Sequence, residues 1–176
     1  MGCQMLSNRM IGIYLILKEL RGKFSIGTLE ERIFVQKAIY LLQILGGEET
    51  DLKFRYGWYH YGPYCTSLSD LVFELAKNIE KDKDLEAKIK KLKLNDAYKG
   101  SVEKLKSLIE QKPSNLNDTK WVELLCSVHF IKEIAFTRKE VKKSNVKDWL
   151  DEFHKDFKKV DADKAWDTLK RYELLN

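Results

Sequence analysis

Apolar residues recur at three- and four-residue spacing along most of the chain, which is the period of an amphipathic helix. Ile11, Tyr14, Leu15 and Leu17 predict a first helix over residues 8–20, with Gly22 just past its end. The pattern over residues 29–45 is denser. Ile33, Tyr40 and Ile44 fall on one side of the wheel and Phe34, Ala38, Leu41, Leu42 and Leu45 on the other, leaving Arg32, Gln36 and Gln43 as a narrow polar stripe. A helix apolar on so much of its circumference belongs at the centre of a fold. Thr28 and Glu31 form a capping box ahead of it, and Gly46-Gly47 ends it.

The period changes after the acidic loop at 48–51. Phe54, Tyr56 and Trp58 alternate, which predicts a short strand or hairpin near 52–60. Tyr61-Gly62-Pro63-Tyr64 reads as a rigid loop, because Pro63 fixes its own φ and restricts Gly62. A helix capped by Thr66 or Ser67 follows, with Leu68, Leu71, Val72, Leu75 and Ile79 on its buried face. The apolar spacing of the run at 88–94 fits either the end of a helix or a strand of a small hairpin, and a helix or irregular link is expected there. From Ser101, Val102, Leu105, Leu108 and Ile109 predict an amphipathic helix that stops before Pro113, and 113–117 is a polar connector and candidate hinge.

Asp118 can cap a second buried helix running to about residue 136, apolar nearly all round through Trp121, Val122, Leu124, Leu125, Val128 and Ile131. After an Asn145 cap, Val146, Trp149, Leu150, Phe153, Phe157 and Val160 keep helical spacing, and Ala165, Trp166, Leu169 and Tyr172 repeat it. These patterns predict a mainly α protein, a single compact multi-helix domain over residues 1–176 that is more than half helical. The helices at 29–45 and 119–136 should be the most buried.

Composition narrows the classes. A chain of 176 residues that is 44% hydrophobic and 34% charged is a folded domain, and no apolar run has the length to cross a bilayer. The net charge of +5 arises from interspersed signs, as on a solvated helix surface. Nucleic acid is therefore not the favoured partner. It remains the alternative reading, with the helix from Ser67 as recognition helix and the basic run at 88–94 on phosphates. Cys3, Cys65 and Cys126 are odd in number and widely spaced, with no secretory leader ahead of them, so reduced thiols in the cytoplasm are expected. The start Met1-Gly2-Cys3 resembles a myristoylation signal, but Leu6 stands where Ser or Thr is required, so no lipid anchor is expected.

No phosphate-binding glycine loop is present. Cys126 and His129 are three apart on one helix, but no second pair stands at ligand spacing, and Glu133 lies one turn on to satisfy the imidazole. Cys65 and His60 suggest a thiolate and its base without a third group to orient them. His154 falls on the exposed side of its helix. The expectation is a non-enzyme with no cofactor and no metal. Lys37 falls in an apolar sector of the central helix, where its stem should pack while its head snorkels to solvent. The competing expectation is a buried charge held by a carboxylate or a partner.

Arg32, Gln36-Lys37, Tyr40-Leu41-Leu42, Phe54, Tyr61-Gly62-Pro63-Tyr64, Leu68 and Asp70-Leu71 together resemble the YwgA-type group of prokaryotic proteins. That group is related more loosely to the Panacea and SocA-like antitoxin domains. The resemblance covers about residues 32–75, with Ala165-Trp166 and Leu169 a weaker match. It implies a helical domain without known catalysis and, for the antitoxin relatives, binding to another protein, either to neutralise a toxin or to present it for proteolysis. The group usually has Ser where this chain has Cys65, so a cap by that hydroxyl does not carry over.

The reading is a non-catalytic protein-interaction module, antitoxin-like or proteolytic-adaptor-like. The candidate partner-binding residues are Arg32, Gln36, Lys37, Tyr40, Tyr61, Gly62, Pro63 and Tyr64, with the aromatic loop beside the polar stripe. The competing expectation is that the loop packs strand against helix. Burial of Tyr61 and Tyr64 decides between them.

Overall fold

The central helix of the fold, α2 (Leu29–Gly46), begins where the sequence predicts. Thr28 Oγ1 accepts from the Glu31 amide at 3.1 Å while Glu31 Oε2 accepts from the Thr28 amide at 3.0 Å, satisfying two of the donors a helix start leaves open. In this computed structural model, which describes residues 6–50, 52–135 and 139–176, α2 packs chiefly against α6 (Asp118–His129) and α5 (Asp96–Glu110). α1 (Asn8–Arg21) lies on α5 and α3 (Thr66–Lys81), α4 (Lys83–Ile89) on α3, and α7 (Val146–Glu152) and α8 (Lys159–Arg171) on α6. Of the described residues 68% are helical, and the strands among them form one antiparallel hairpin of β1 (Gly57–Tyr59) and β2 (Gly62–Tyr64). Cys3 and the rest of the myristoylation pattern before Leu6 lie outside the described residues, as does the predicted end of a helix at 136.

One core cluster runs through α1, α2, α5, α6 and α8, and a smaller one joins Met10 and Tyr14 to Leu75 and Ile89 beneath α4. Trp121 is wholly enclosed, and its indole N–H donates to the Leu108 carbonyl at 3.0 Å, so the large apolar ring is buried without leaving a donor unpaired. Side chains of this size contribute about 1.5–3 kcal/mol each when fully withdrawn from water. As expected, α2 and α6 are among the most buried elements. Among the described residues no helix is long and apolar enough to cross a membrane.

Several boundaries differ from the sequence reading. Tyr61-Gly62-Pro63-Tyr64 is not a loop: Gly62, Pro63 and Tyr64 are β2, and the turn is His60-Tyr61. Pro63 stands opposite Trp58, in a short edge hairpin where a missing N–H is tolerated. α3 begins at Thr66, so neither Thr66 nor Ser67 caps it. α5 starts at Asp96 behind an Asn95 cap, and α6 is capped by Asn117, whose Oδ1 accepts from the Lys120 amide at 2.8 Å. The connector at 113–117 is tied to its surroundings, since Asn115 donates to Asp161 at 3.0 Å and Asn117 to Glu30 at 3.1 Å.

The largest difference lies after α7, where the apolar spacing continues to Val160 but the helix stops at Glu152. His154 takes φ +57°, its amide bonds Asp151 O at 2.8 Å, and the Lys155 amide bonds Leu150 O at 2.7 Å. This is a Schellman ending with His in the position usually held by Gly. It turns the chain back and directs Lys155 inward.

Candidate functional site

The polar stripe of α2 grips backbone. Gln36 accepts from the Cys65 amide at 2.9 Å and donates to the Cys65 carbonyl at 3.0 Å, so its amide group does what a neighbouring strand would do. Gln43, seven residues and nearly two turns along the same face, repeats the arrangement on Phe54, accepting from its amide at 2.7 Å and donating to its carbonyl at 3.0 Å. Arg32 donates through one terminal nitrogen to the carbonyls of Ile26 and Gly27. The aromatic segment is therefore stapled to α2 at both ends.

Its middle is held by two lysines. Lys37 is 1% exposed, and its Nζ donates to the Pro63 carbonyl at 2.5 Å. The snorkelling expectation is thereby corrected: β2 lies across the helix and covers the ammonium. Among the described residues Lys37 forms no ion pair, and burial together with the nearby Lys155 charge pushes its pKa down to about 8. Lys155, 3% exposed, donates to the His60 carbonyl at 2.6 Å and pairs with buried Glu123 at 3.0 Å. Burial lowers its pKa, against the attraction of Glu123. Gly62, at φ +85°, lies so close to α6 that an added Cβ would come within 2.8 Å of Ser127 Oγ. Both the conformation and the contact require glycine there.

The outer side of the hairpin forms one wall of a groove of about 240 Å³, with α2 and α3 as the others. Its rim exposes large apolar side chains: Leu29 at 51%, Tyr59 at 56%, Tyr61 at 39% and Phe73 at 45%. The Tyr64 hydroxyl donates to Ser69 Oγ at 2.8 Å at its base. The predicted partner-binding residues thus separate into two groups. Gln36, Lys37, Tyr40, Gly62 and Pro63 are buried, although Gln36, Lys37 and Gly62 also border the groove from beneath. Arg32, Tyr61 and Tyr64 keep exposed surface on the groove. Leu29, Tyr59 and Phe73 join them, and were missed as members of the site. The signal for Phe73 was available in the sequence: it lies off the apolar face of a strongly amphipathic helix.

The other chemistry-bearing residues are occupied elsewhere. Tyr40 Oη and His129 Nδ1 are 2.7 Å apart inside the core, so the imidazole is met by Tyr40 and not by Glu133, which binds the amide and side chain of Asn176. Burial pushes the His129 pKa down to about 4 and keeps the ring neutral near pH 7. Cys126, three residues away, donates to the Lys37 carbonyl at 3.4 Å, and burial raises its thiol pKa. Among the described residues no group of three metal-ligating side chains occurs. His60 lies in the turn that precedes β2 and Cys65 just past the strand's other end, and among the described residues no hydrogen bond joins them. Cys65 Sγ contacts Ser67 Oγ at 3.1 Å instead.

The chain matches no family model, no curated protein and no solved structure.

Proposed function

We propose that this chain is a non-catalytic protein-interaction module that engages another protein through the groove between α2, α3 and the hairpin. The observation that carries the reading is the ring of exposed Leu29, Tyr59, Tyr61 and Phe73 around one concave site. Clustered apolar surface of this kind marks interfaces, and aromatic side chains supply most of their binding energy. The groove is smaller than the roughly 300–1,000 Å³ of typical small-molecule sites, and much of its apolar surface lies on the rim, where a protein surface reaches it and a small ligand does not. The resemblance to the YwgA-type and antitoxin groups supports an antitoxin-like or adaptor-like role in a prokaryotic cytoplasm. The free, buried Cys65 and Cys126 fit that compartment.

Binding to duplex DNA through α3 and the run at 88–94 has less support. Lys88 pairs with Asp82 and Lys90 with Glu86, so part of the positive charge is already neutralised within α4 and its borders.

Affinity purification of the tagged chain from its native host, in parent and Phe73→Asp forms, tests the proposal. The parent should carry one protein in stoichiometric amount, and the variant should lose it with an unchanged thermal melt. Retention of that protein by a folded Phe73→Asp variant would overturn the groove as the docking site.

A further inference from the structure

The charges lining the groove are of one sign. Arg32 and Lys37 both line it, and among its described lining residues there is no carboxylate; Asp70 and Glu74 of α3 are not in the lining. The two cations differ in reach. Lys37 lies beneath β2 with Pro63 O as its acceptor, so it contributes charge to the site without surface. Arg32 is partly exposed, and its geometry is already set, because one terminal nitrogen spends its donors on Ile26 O at 3.1 Å and Gly27 O at 3.2 Å. A guanidinium has five N–H donors. The edge formed by Nε and the other terminal nitrogen makes no hydrogen bond and no ion pair among the described residues. That edge matches a carboxylate in bidentate geometry, and an arginine held in place beforehand gives up less side-chain entropy on binding.

Resting on the protein-interaction reading, we propose that the groove takes a short acidic peptide segment of the partner, with an Asp or Glu carboxylate on the free edge of Arg32 and an adjoining large apolar side chain between Phe73 and Tyr61. The apolar neighbour is required by the walls: Ile33 and Phe73 on the helices and the Tyr61 ring on the hairpin leave little polar surface for a strongly hydrated peptide. Lys37 adds positive charge from below, since its ammonium lies under β2 with a carbonyl and, among the described residues, no carboxylate in contact. A basic segment would meet two like charges there.

The experiment is selection of a random displayed peptide library against the full chain, with the enriched peptides synthesised and their affinities measured by fluorescence anisotropy. Enriched sequences should place Asp or Glu next to Leu, Phe, Tyr or Trp. Changing that acid to its amide should weaken binding by about tenfold or more, and raising the salt concentration should narrow the difference. Phe73→Ala should lower affinity by a similar factor without moving the melt, and Arg32→Lys should retain more affinity than Arg32→Gln. The acid-to-amide change is made on the peptide, so it reads the contact even where a protein variant unfolds the loop at 26–27. Enrichment of peptides lacking an acid, indifference to the amide change, or no enrichment at all would overturn the inference. Peptides that bind at Phe73 independently of any acid would leave the protein-interaction reading standing, whereas a native partner retained by Phe73→Asp removes that reading itself.

Discussion

Lys37 and Lys155 lie under the same hairpin and meet the same difficulty, a cation withdrawn from water, in different ways. Lys155 has Glu123 in contact and faces the rings of Trp58 and Tyr61 at 5.6 and 5.7 Å. Among the described residues Lys37 has a carbonyl oxygen alone. Each holds the main chain of the hairpin, Lys155 at the turn and Lys37 on β2, but only Lys155 is locally neutralised. Truncating Lys155 strips Glu123 of its buried counter-charge, while truncating Lys37 orphans one carbonyl. The contrast separates what a charge does for the fold from what its hydrogen bond does.

The largest effect should follow from Lys155→Met. It leaves Glu123 buried with Lys120 as its remaining cation, at 3.0 Å but half exposed, and the expected loss is about 3–5 kcal/mol by denaturant titration. Adding Glu123→Gln should recover part of it. A loss below about 1 kcal/mol would show that Lys120 and solvent compensate Glu123, and the contrast between the two lysines would collapse.

Next comes pH. Burial holds Lys37 at about 8 against an ordinary 10.5, so between these values the unfolded chain binds a proton that the folded chain does not. Stability therefore rises with pH through that window, by about 3 kcal/mol if the whole shift is expressed. Lys37→Met should lack the rise. Parallel pH profiles for parent and variant, measured between pH 7.5 and 10, would show that the ammonium is not confined as described.

The smallest effect should come from a neutral staple. Gln43→Met removes both bonds to Phe54 and should cost about 1–2 kcal/mol, with the pH profile left as in the parent. A cost equal to that of Lys155→Met would mean that the hairpin is lost as a unit when any staple goes.

The helices were legible because burial of an apolar face imposes its period on the sequence, and the capping box at Thr28 and Glu31 appears as read. The polar positions of α2 were legible as positions and not as roles. Hydrophobicity places Gln36 and Gln43 on a stripe, but it does not distinguish an amide facing water from one paired with a backbone, because the pairing depends on a segment that arrives from elsewhere in the chain. Lys155 was hidden by a different cause. The helical spacing of Phe153, Phe157 and Val160 runs through a residue with positive φ, and His154 carries none of the glycine signal that marks such an ending. Lys37 was identifiable as an anomaly on the wheel; its partner, a carbonyl, has no side-chain signature at all.

The staples share one property with a consequence for how the protein changes over time. Gln36, Gln43, Lys37 and Lys155 all take hold of main-chain atoms of the segment from Phe54 to Cys65, and every residue type supplies a carbonyl. The outward side chains Tyr59, His60 and Tyr61 are not what secures the segment. They can be exchanged without releasing it, much as the tip of an antibody loop is exchanged on a constant frame, so a library randomised at those three positions should yield new binding specificities on an unaltered scaffold.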